Sequence, residues 1–181
     1  MATAHLGIFN HHLPTALRSL PVAVAIPVAA GLVSGYVGNP RSNFEPAGWY
    51  RTLIRSKLTP PNWVFPVAWT ALYTAMGYAS HRVALITLSH APLTPVHTRG
   101  VYALKLYAAQ LALNLVWTPL FFGVRRPGWA LLDLAALGGT VFATTFAFNQ
   151  LDSTAAKCMG VYAAWVTYAG YLNAVVWWKN N

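Results

Sequence analysis

Five long apolar runs divide this sequence and constrain its fold more than any other feature. A helix rises about 1.5 Å per residue, so roughly 20 apolar residues cross the hydrocarbon core of a bilayer, which is about 30 Å thick. The runs cover residues 20–37, 62–84, 101–122, 127–148 and 155–178. The sequence therefore predicts an all-α integral membrane protein, built as a multi-pass bundle of five transmembrane helices.

The charge content of the chain agrees with a membrane location. Charged residues make up only 8% of the sequence, against 56% hydrophobic residues, whereas soluble domains carry about 25% charged residues. The net charge is +9, but the basic residues lie mostly between the apolar runs, as in loops that meet phospholipid headgroups. We therefore expect membrane lipids as partners and no binding of nucleic acid.

The short connections between the later runs favour a single domain. We expect a tail over residues 1–19 and one five-helix membrane domain over residues 20–181. An alternative is that the N-terminal region is a secretory signal with Arg18 as its charged flank. The apolar stretch continues to the length of a full span, which favours a transmembrane helix. The lone cysteine, Cys158, excludes an intrachain disulfide.

Polar side chains within the third run indicate a face that avoids lipid. Gln110, Asn114 and Trp117 lie at i, i+4 and i+7, and hence on one side of a helix. Amides are costly in hydrocarbon unless they are paired, so we expect this side to face the bundle interior. Two roles remain open: hydrogen bonds between helices, or contact with a bound ligand.

The acidic residues offer no familiar catalytic arrangement. The chain has three of them, Glu45, Asp133 and Asp152, and no two share a helix face. Asp133 falls inside the fourth run, where we expect it to pair with Arg125, Arg126 or a nearby indole N–H. The sequence also contains no metal-binding or nucleotide-binding motif. Binding or transport of a flat, apolar molecule is therefore predicted, rather than acid–base or metal catalysis.

Tryptophans in the middle of two runs support that prediction. Trp69 and Trp165 lie well inside their runs, where each indole needs a hydrogen-bond acceptor or a flat partner. They serve either as core packing or as a surface for a planar ligand. The tryptophans near run ends are typical of anchors at the membrane interface; they are Trp49, Trp63, Trp129, Trp177 and Trp178.

Four sequence stretches resemble a known family. They are "WYRTLIRSKLTPPNWVFPVAWTALYTAMGYAS", "QLALNLVWTPLFFGVRRPGWALLDL", "ATTFAFNQ" and "AAWVTYAGYLN". In this order, over residues 44–177, they are similar to the translocator protein family, also called tryptophan-rich sensory proteins.

The resemblance implies five transmembrane helices, a homodimer, and a pocket in each bundle closed by the long first loop. It implies binding of porphyrins such as protoporphyrin IX and haem, and of sterols, with no obligatory cofactor. The matching pocket positions are Trp69, Asn114, Trp117, Trp129, Trp165, Ala169 and Leu172. The loop positions are Glu45 and Trp49, and Arg51, Arg55 and Lys57 are the cations that could meet porphyrin propionates.

The resemblance leaves function and location partly open. The proposed sterol-recognition pattern of animal members is broken here, because Ala174 and Trp178 occupy its Tyr and basic positions. Light-driven degradation of bound porphyrin, as proposed for bacterial relatives, is one alternative. A structural or signalling protein with a vestigial pocket is another. Animal relatives lie in the outer mitochondrial membrane, plant relatives in the secretory pathway, and bacterial relatives in bacterial membranes.

Overall fold

The computed structural model describes residues 14–38 and 48–181 of the chain, and every regular element within these residues is helical. A single turn, Trp49–Thr52, precedes the second long helix, and a π-helical segment, Pro119–Gly123, extends the third. The five long helices are α1 (Leu20–Gly38), α2 (Val64–Leu88), α3 (Pro95–Thr118), α4 (Pro127–Asn149) and α5 (Ser153–Asn180). The all-α prediction is confirmed for the described residues.

Not all five helices are equally suited to lipid. Three are long and apolar enough to cross a membrane by length and composition: α1, α3 with its π-helical extension, and α4. The helices α2 and α5 have 25 and 28 residues, but polar side chains such as Arg82 and Lys157 lower their hydropathy. The five long helices match the predicted runs, while three of them meet the hydropathy criterion for a span.

The helices form one bundle around a continuous core. Each helix contacts the next along the chain, and α5 also returns to α2. The largest fully buried side chains come from four helices, and include Met76, Leu104, Leu137, Phe148 and Tyr162. Because α4 contacts mainly α3 and α5, it packs on the side of these two helices that faces away from α1 and α2.

A proline and a glycine bring α1 and α2 into close contact. Pro27 has no N–H, so the carbonyl of Ala23 one turn earlier loses its helical donor. The carbonyl instead lies against Gly77 of α2, where an added Cβ would stand 2.6 Å from the Ala23 oxygen. The glycine therefore allows α2 to shelter the carbonyl that the proline leaves unpaired, as membrane helices require.

A second proline shapes the end of α3. Pro119 cannot donate to the carbonyl of Leu115, and the Ser34 hydroxyl of α1 donates to that carbonyl at 2.7 Å. The backbone then continues as the π-helical segment, which carries Phe121 and Phe122. Since π-helical turns often occur at functional sites, the space beside this segment is a candidate for the functional site.

The prediction that Asp133 pairs with Arg125, Arg126 or an indole N–H is wrong, since no such pair occurs in the described part of the chain. The Oδ2 atom of Asp133 is buried and has no hydrogen-bond partner. Arg125 has a positive φ of 57° and its guanidinium lies 5.9 Å from the centre of the Trp49 ring. The ion pair recorded in the described part of the chain joins Arg82 to Asp152 at 2.6 Å. The turn before α4 therefore directs Arg125 away from Asp133.

Candidate functional site

A cavity of about 650 Å³ lies inside one end of the bundle, a size typical of pockets for small molecules. Its wall comes from α1, α2, α3 with the π-helical segment, and α5. Residues 53–62, which we call the cap, add Arg55, Thr59 and Asn62 to the lining. Among the described residues, α4 contributes nothing to the lining. The aromatic and amide side chains of the wall are Tyr36, Tyr50, Asn62, Phe65, Trp69, Tyr73, Asn114, Trp117, Phe121, Phe122 and Asn173.

Aromatic rings in contact form one side of the cavity. The Trp69 ring stacks on Tyr73, with 5.5 Å between ring centres, and meets Trp165 nearly at right angles at 6.3 Å. Trp165 lies behind Trp69 and Phe65, and its indole Nε1 is buried without a partner. Gly31 of α1 is opposite Tyr73, and a side chain at this position would overlap that ring. This side of the cavity is thus an aromatic, apolar wall in which Trp165 supports Trp69 and Phe65.

Asn114 joins three helices at the wall of the cavity. The Tyr73 hydroxyl of α2 donates to Asn114 Oδ1 at 2.6 Å. Asn114 Nδ2 donates to the Tyr162 hydroxyl of α5 at 2.9 Å. Because Asn114 is only 3% exposed, both bonds are well shielded from water.

The other two polar residues of the α3 face have different roles. Trp117 lines the cavity and donates from its indole nitrogen to Asn173 Oδ1 at 3.1 Å. Asn173 in turn donates to the carbonyl of Pro127 at 2.8 Å, which fixes the start of α4. Gln110 is fully buried, and both of its amide atoms have no hydrogen-bond partner. The face points inward along its length, and only its Asn114 and Trp117 end reaches the cavity.

The cap adds positive charge at the mouth of the cavity. Arg55 lines the cavity and lies over the Tyr50 ring, with its guanidinium carbon 4.9 Å from the ring centre. A second, more open cavity of about 780 Å³ adjoins it and includes Arg51 in its wall. The two cavities share Arg55, Thr59 and Asn62. An apolar chamber therefore lies beside a polar one, which we call the vestibule and which is lined by two guanidinium groups.

The structure brings most of the predicted pocket residues to the cavity. Trp69, Asn114, Trp117, Ala169 and Leu172 all contribute to its wall. Trp165 contacts the wall through Trp69. In contrast, Trp129 is 65% exposed on the first turn of α4 and does not reach the lining.

The predicted loop residues are divided between the cap and its surroundings. Arg55 reaches the cavity, Arg51 lines only the vestibule, and Lys57 is exposed and contributes to neither wall. Trp49 packs edge-on against Phe121, with ring centres 5.8 Å apart. Glu45 lies outside the described residues.

Several lining residues were not predicted as site residues. Tyr50, Phe65, Tyr73 and Phe121 line the cavity. Tyr73 shares a helix face with Trp69, so the spacing of four residues already indicated that it would lie nearby. The positions of Tyr50 and Phe121 depend on the cap and on the π-helical segment, for which the sequence spacing gives no comparable signal.

Comparison with known proteins agrees with the resemblance. The model of the TspO/MBR family matches residues 23–179. The translocator protein of Bos taurus is 39% identical over 149 residues, which cover 82% of this chain and 85% of the relative. The translocator protein of Homo sapiens is 39% identical over 146 residues, 81% of this chain and 83% of the relative. The tryptophan-rich sensory protein of Cereibacter sphaeroides is 42% identical over 129 residues, 71% and 75% of the two chains. This chain therefore belongs to the TspO/MBR family of membrane proteins.

Proposed function

We propose that this protein binds porphyrins such as protoporphyrin IX and haem, and also sterols, in the cavity between α1, α2, α3 and α5, and takes part in their transport or homeostasis. The observation that carries the proposal is the adjacent pair of chambers, one lined by indole, phenol and phenyl rings and the other including Arg51 and Arg55 in its lining. A porphyrin is a flat aromatic plate with anionic propionates, so it matches rings on one side and guanidinium groups on the other.

The proposal includes five membrane spans in one domain over residues 20–181. At about 1.5 Å per residue, α2 and α5 are long enough to cross a bilayer, and both lie in the same bundle as the three apolar helices. Association as a homodimer through α3 is supported by Ala108 and Ala112, which are exposed and have the spacing that lets membrane helices approach closely. In a eukaryotic cell, the proposed location is the outer mitochondrial membrane.

A titration with protoporphyrin IX tests the proposal. The purified protein in detergent is titrated in the dark while tryptophan emission is followed. We expect saturable quenching at about one porphyrin per chain, because the described part of each bundle contains this apolar cavity and its size suits a single small-molecule ligand. A variant with both Trp69→Ala and Trp165→Ala should bind much more weakly, since it loses the indole of the wall and the ring that supports it. Trp129→Ala is the matched control, because Trp129 lies outside the cavity.

Two outcomes of this titration would contradict the proposal. Quenching that rises linearly without saturation would mean that porphyrin only partitions into the detergent micelle. Wild-type affinity in the double variant would mean that Trp69 and Trp165 serve core packing alone. The first outcome would favour a structural or signalling role with a vestigial pocket, and the second would place porphyrin binding away from these two indole rings.

Light-dependent breakdown of bound porphyrin is a second candidate function. The observation that favours it is the unbroken contact between oxidisable rings, from Tyr73 through Trp69 to Trp165. Illumination of the complex in air should then change the absorption spectrum of the pigment in the wild type but not in the Trp69→Ala, Trp165→Ala variant. An unchanged spectrum in the wild type, with saturable binding, would leave binding or transport as the function.

A further inference from the structure

The end of α5 makes an unusual contact with the cap. Asn180 Oδ1 accepts a hydrogen bond from the backbone N–H of Ile54 at 2.9 Å, and Asn180 Nδ2 donates to the backbone carbonyl of the same residue at 3.0 Å. Nδ2 also donates to the Val176 carbonyl of its own helix at 2.7 Å. The amide therefore uses both N–H groups and its oxygen, which fixes its orientation relative to both segments.

Two tyrosines of α5 hold the same segment. The Tyr168 hydroxyl donates to the backbone carbonyl of Leu58 at 2.6 Å, and the Tyr171 hydroxyl shares a hydrogen bond of 3.2 Å with Ser56 Oγ. The three contacts thus fall on cap residues 54, 56 and 58. Arg55, between two of the contact points, contributes to both chambers, as do Thr59 and Asn62.

We propose that Asn180 is a positioning residue that holds the cap closed and sets Arg55 at the junction of the apolar chamber and the vestibule. Its bonds join residues 126 positions apart in the sequence, and no other side chain in the described part of the chain is recorded in a hydrogen bond with Ile54. Asn180 also lies beyond residue 179, where the match to the family model ends. The effect on ligand release rests on the proposed function, whereas the effect on cap opening does not.

Limited proteolysis with an arginine-specific protease tests cap opening directly. Such a protease cuts after Arg55 only when the cap opens, and it leaves the bond after Lys179 intact, so that Asn180 stays on the chain. Full-length protein in detergent is digested, and the fragments are identified by mass spectrometry. Cleavage after Arg99, in the first turns of α3, serves as an internal reference.

We expect Asn180→Ala to raise the rate of cleavage after Arg55 about tenfold, which corresponds to about 1.4 kcal/mol. Asn180→Asp should behave similarly, because its second oxygen would face the Ile54 carbonyl and cannot donate. Asn181→Ala is the matched control, since Asn181 is exposed and is recorded in no hydrogen bond. Neither cleavage after Arg99 nor the stability of the bundle should change. Unchanged cleavage after Arg55 in both Asn180 variants would overturn the proposal.

Dissociation of protoporphyrin IX gives a second readout. If the wild type binds saturably, Asn180→Ala should release porphyrin several times faster, because the cap opens more often and Arg55 is no longer held at the mouth. Faster cleavage without faster release would overturn the role in positioning Arg55. If the wild type does not bind saturably, the proposed function fails, while the ratio of cleavage after Arg55 to that after Arg99 still decides whether Asn180 holds the cap.

Discussion

Replacing Asn114 by alanine should cost this protein a substantial part of its stability. The substitution removes the hydrogen bonds to Tyr73 and Tyr162, which join α3 to α2 and α5. A hydrogen bond between membrane helices contributes about 0.6 kcal/mol on average and up to about 1.7 kcal/mol. Two such bonds give about 1 to 3 kcal/mol. Tyr162 is fully buried, and leaving its hydroxyl without this partner moves the expected loss toward the upper end.

The measurement is the free energy of unfolding in mixed micelles with increasing amounts of a denaturing detergent. Tyr162→Phe removes one bond of the pair and should cost about 1 kcal/mol. The double variant should show a coupling energy of about 0.6 kcal/mol between the two sites. Asn149→Ala is the matched control, since Asn149 is exposed at the end of α4. Wild-type stability in Asn114→Ala, or zero coupling, would refute the argument that Asn114 joins the helices.

Two other features of the bundle give measurable predictions. Hydrogen bonds from Arg82 hold the pKa of the Asp152 carboxyl below its usual value. The resulting stability is present above about pH 4, the usual aspartate range, and is lost as pH falls through the lower pKa of the folded state. Asp152→Asn should abolish this pH dependence of the free energy of unfolding. The same dependence on acid pH in the variant and the wild type would contradict the prediction. Gly77→Ala should lower the free energy of unfolding by about 1 to 3 kcal/mol, because the new Cβ meets the backbone oxygen of Ala23. Gly139→Ala is the control, since a Cβ there meets nothing within 4 Å. Equal stability of the two variants would refute the close contact between α1 and α2.

Local spacing was enough to predict much of the cavity wall. Trp69, Asn114 and Trp117 lie on helix faces that the i, i+3, i+4 rule identifies without tertiary information. The helices themselves follow from the apolar runs, and the observed bounds differ from the predicted ones by a few residues at most ends. The start of α3 is an exception: it begins at Pro95, six residues before the predicted run, because Thr94 caps it through its side chain.

The tertiary arrangement of the helices decided the remaining positions. Trp129 does not reach the cavity because α4 packs on α3 and α5, and the Trp129 side chain lies on the exposed side of its first turn, whereas Ala130 in the same turn is buried. Arg125 did not meet Asp133 because the turn before α4 directs it to Trp49. The contacts of Asn180 could not be predicted from spacing, since they join residues 126 positions apart. Each of these depends on how distant segments meet, which the pattern of a single helix does not encode.

The two roles left open for Asn114 are compatible in this structure. An amide has two N–H donors and an oxygen with two lone pairs, and the bonds to Tyr162 and Tyr73 use one N–H and one lone pair. The two tyrosines therefore fix the direction of the amide, and these bonds leave one N–H and one lone pair unused on Asn114, which lines the cavity. A ligand that uses these groups does not have to break the contacts between helices. The bridge between the helices thus also fixes the orientation of Asn114, as its proposed role in ligand binding requires.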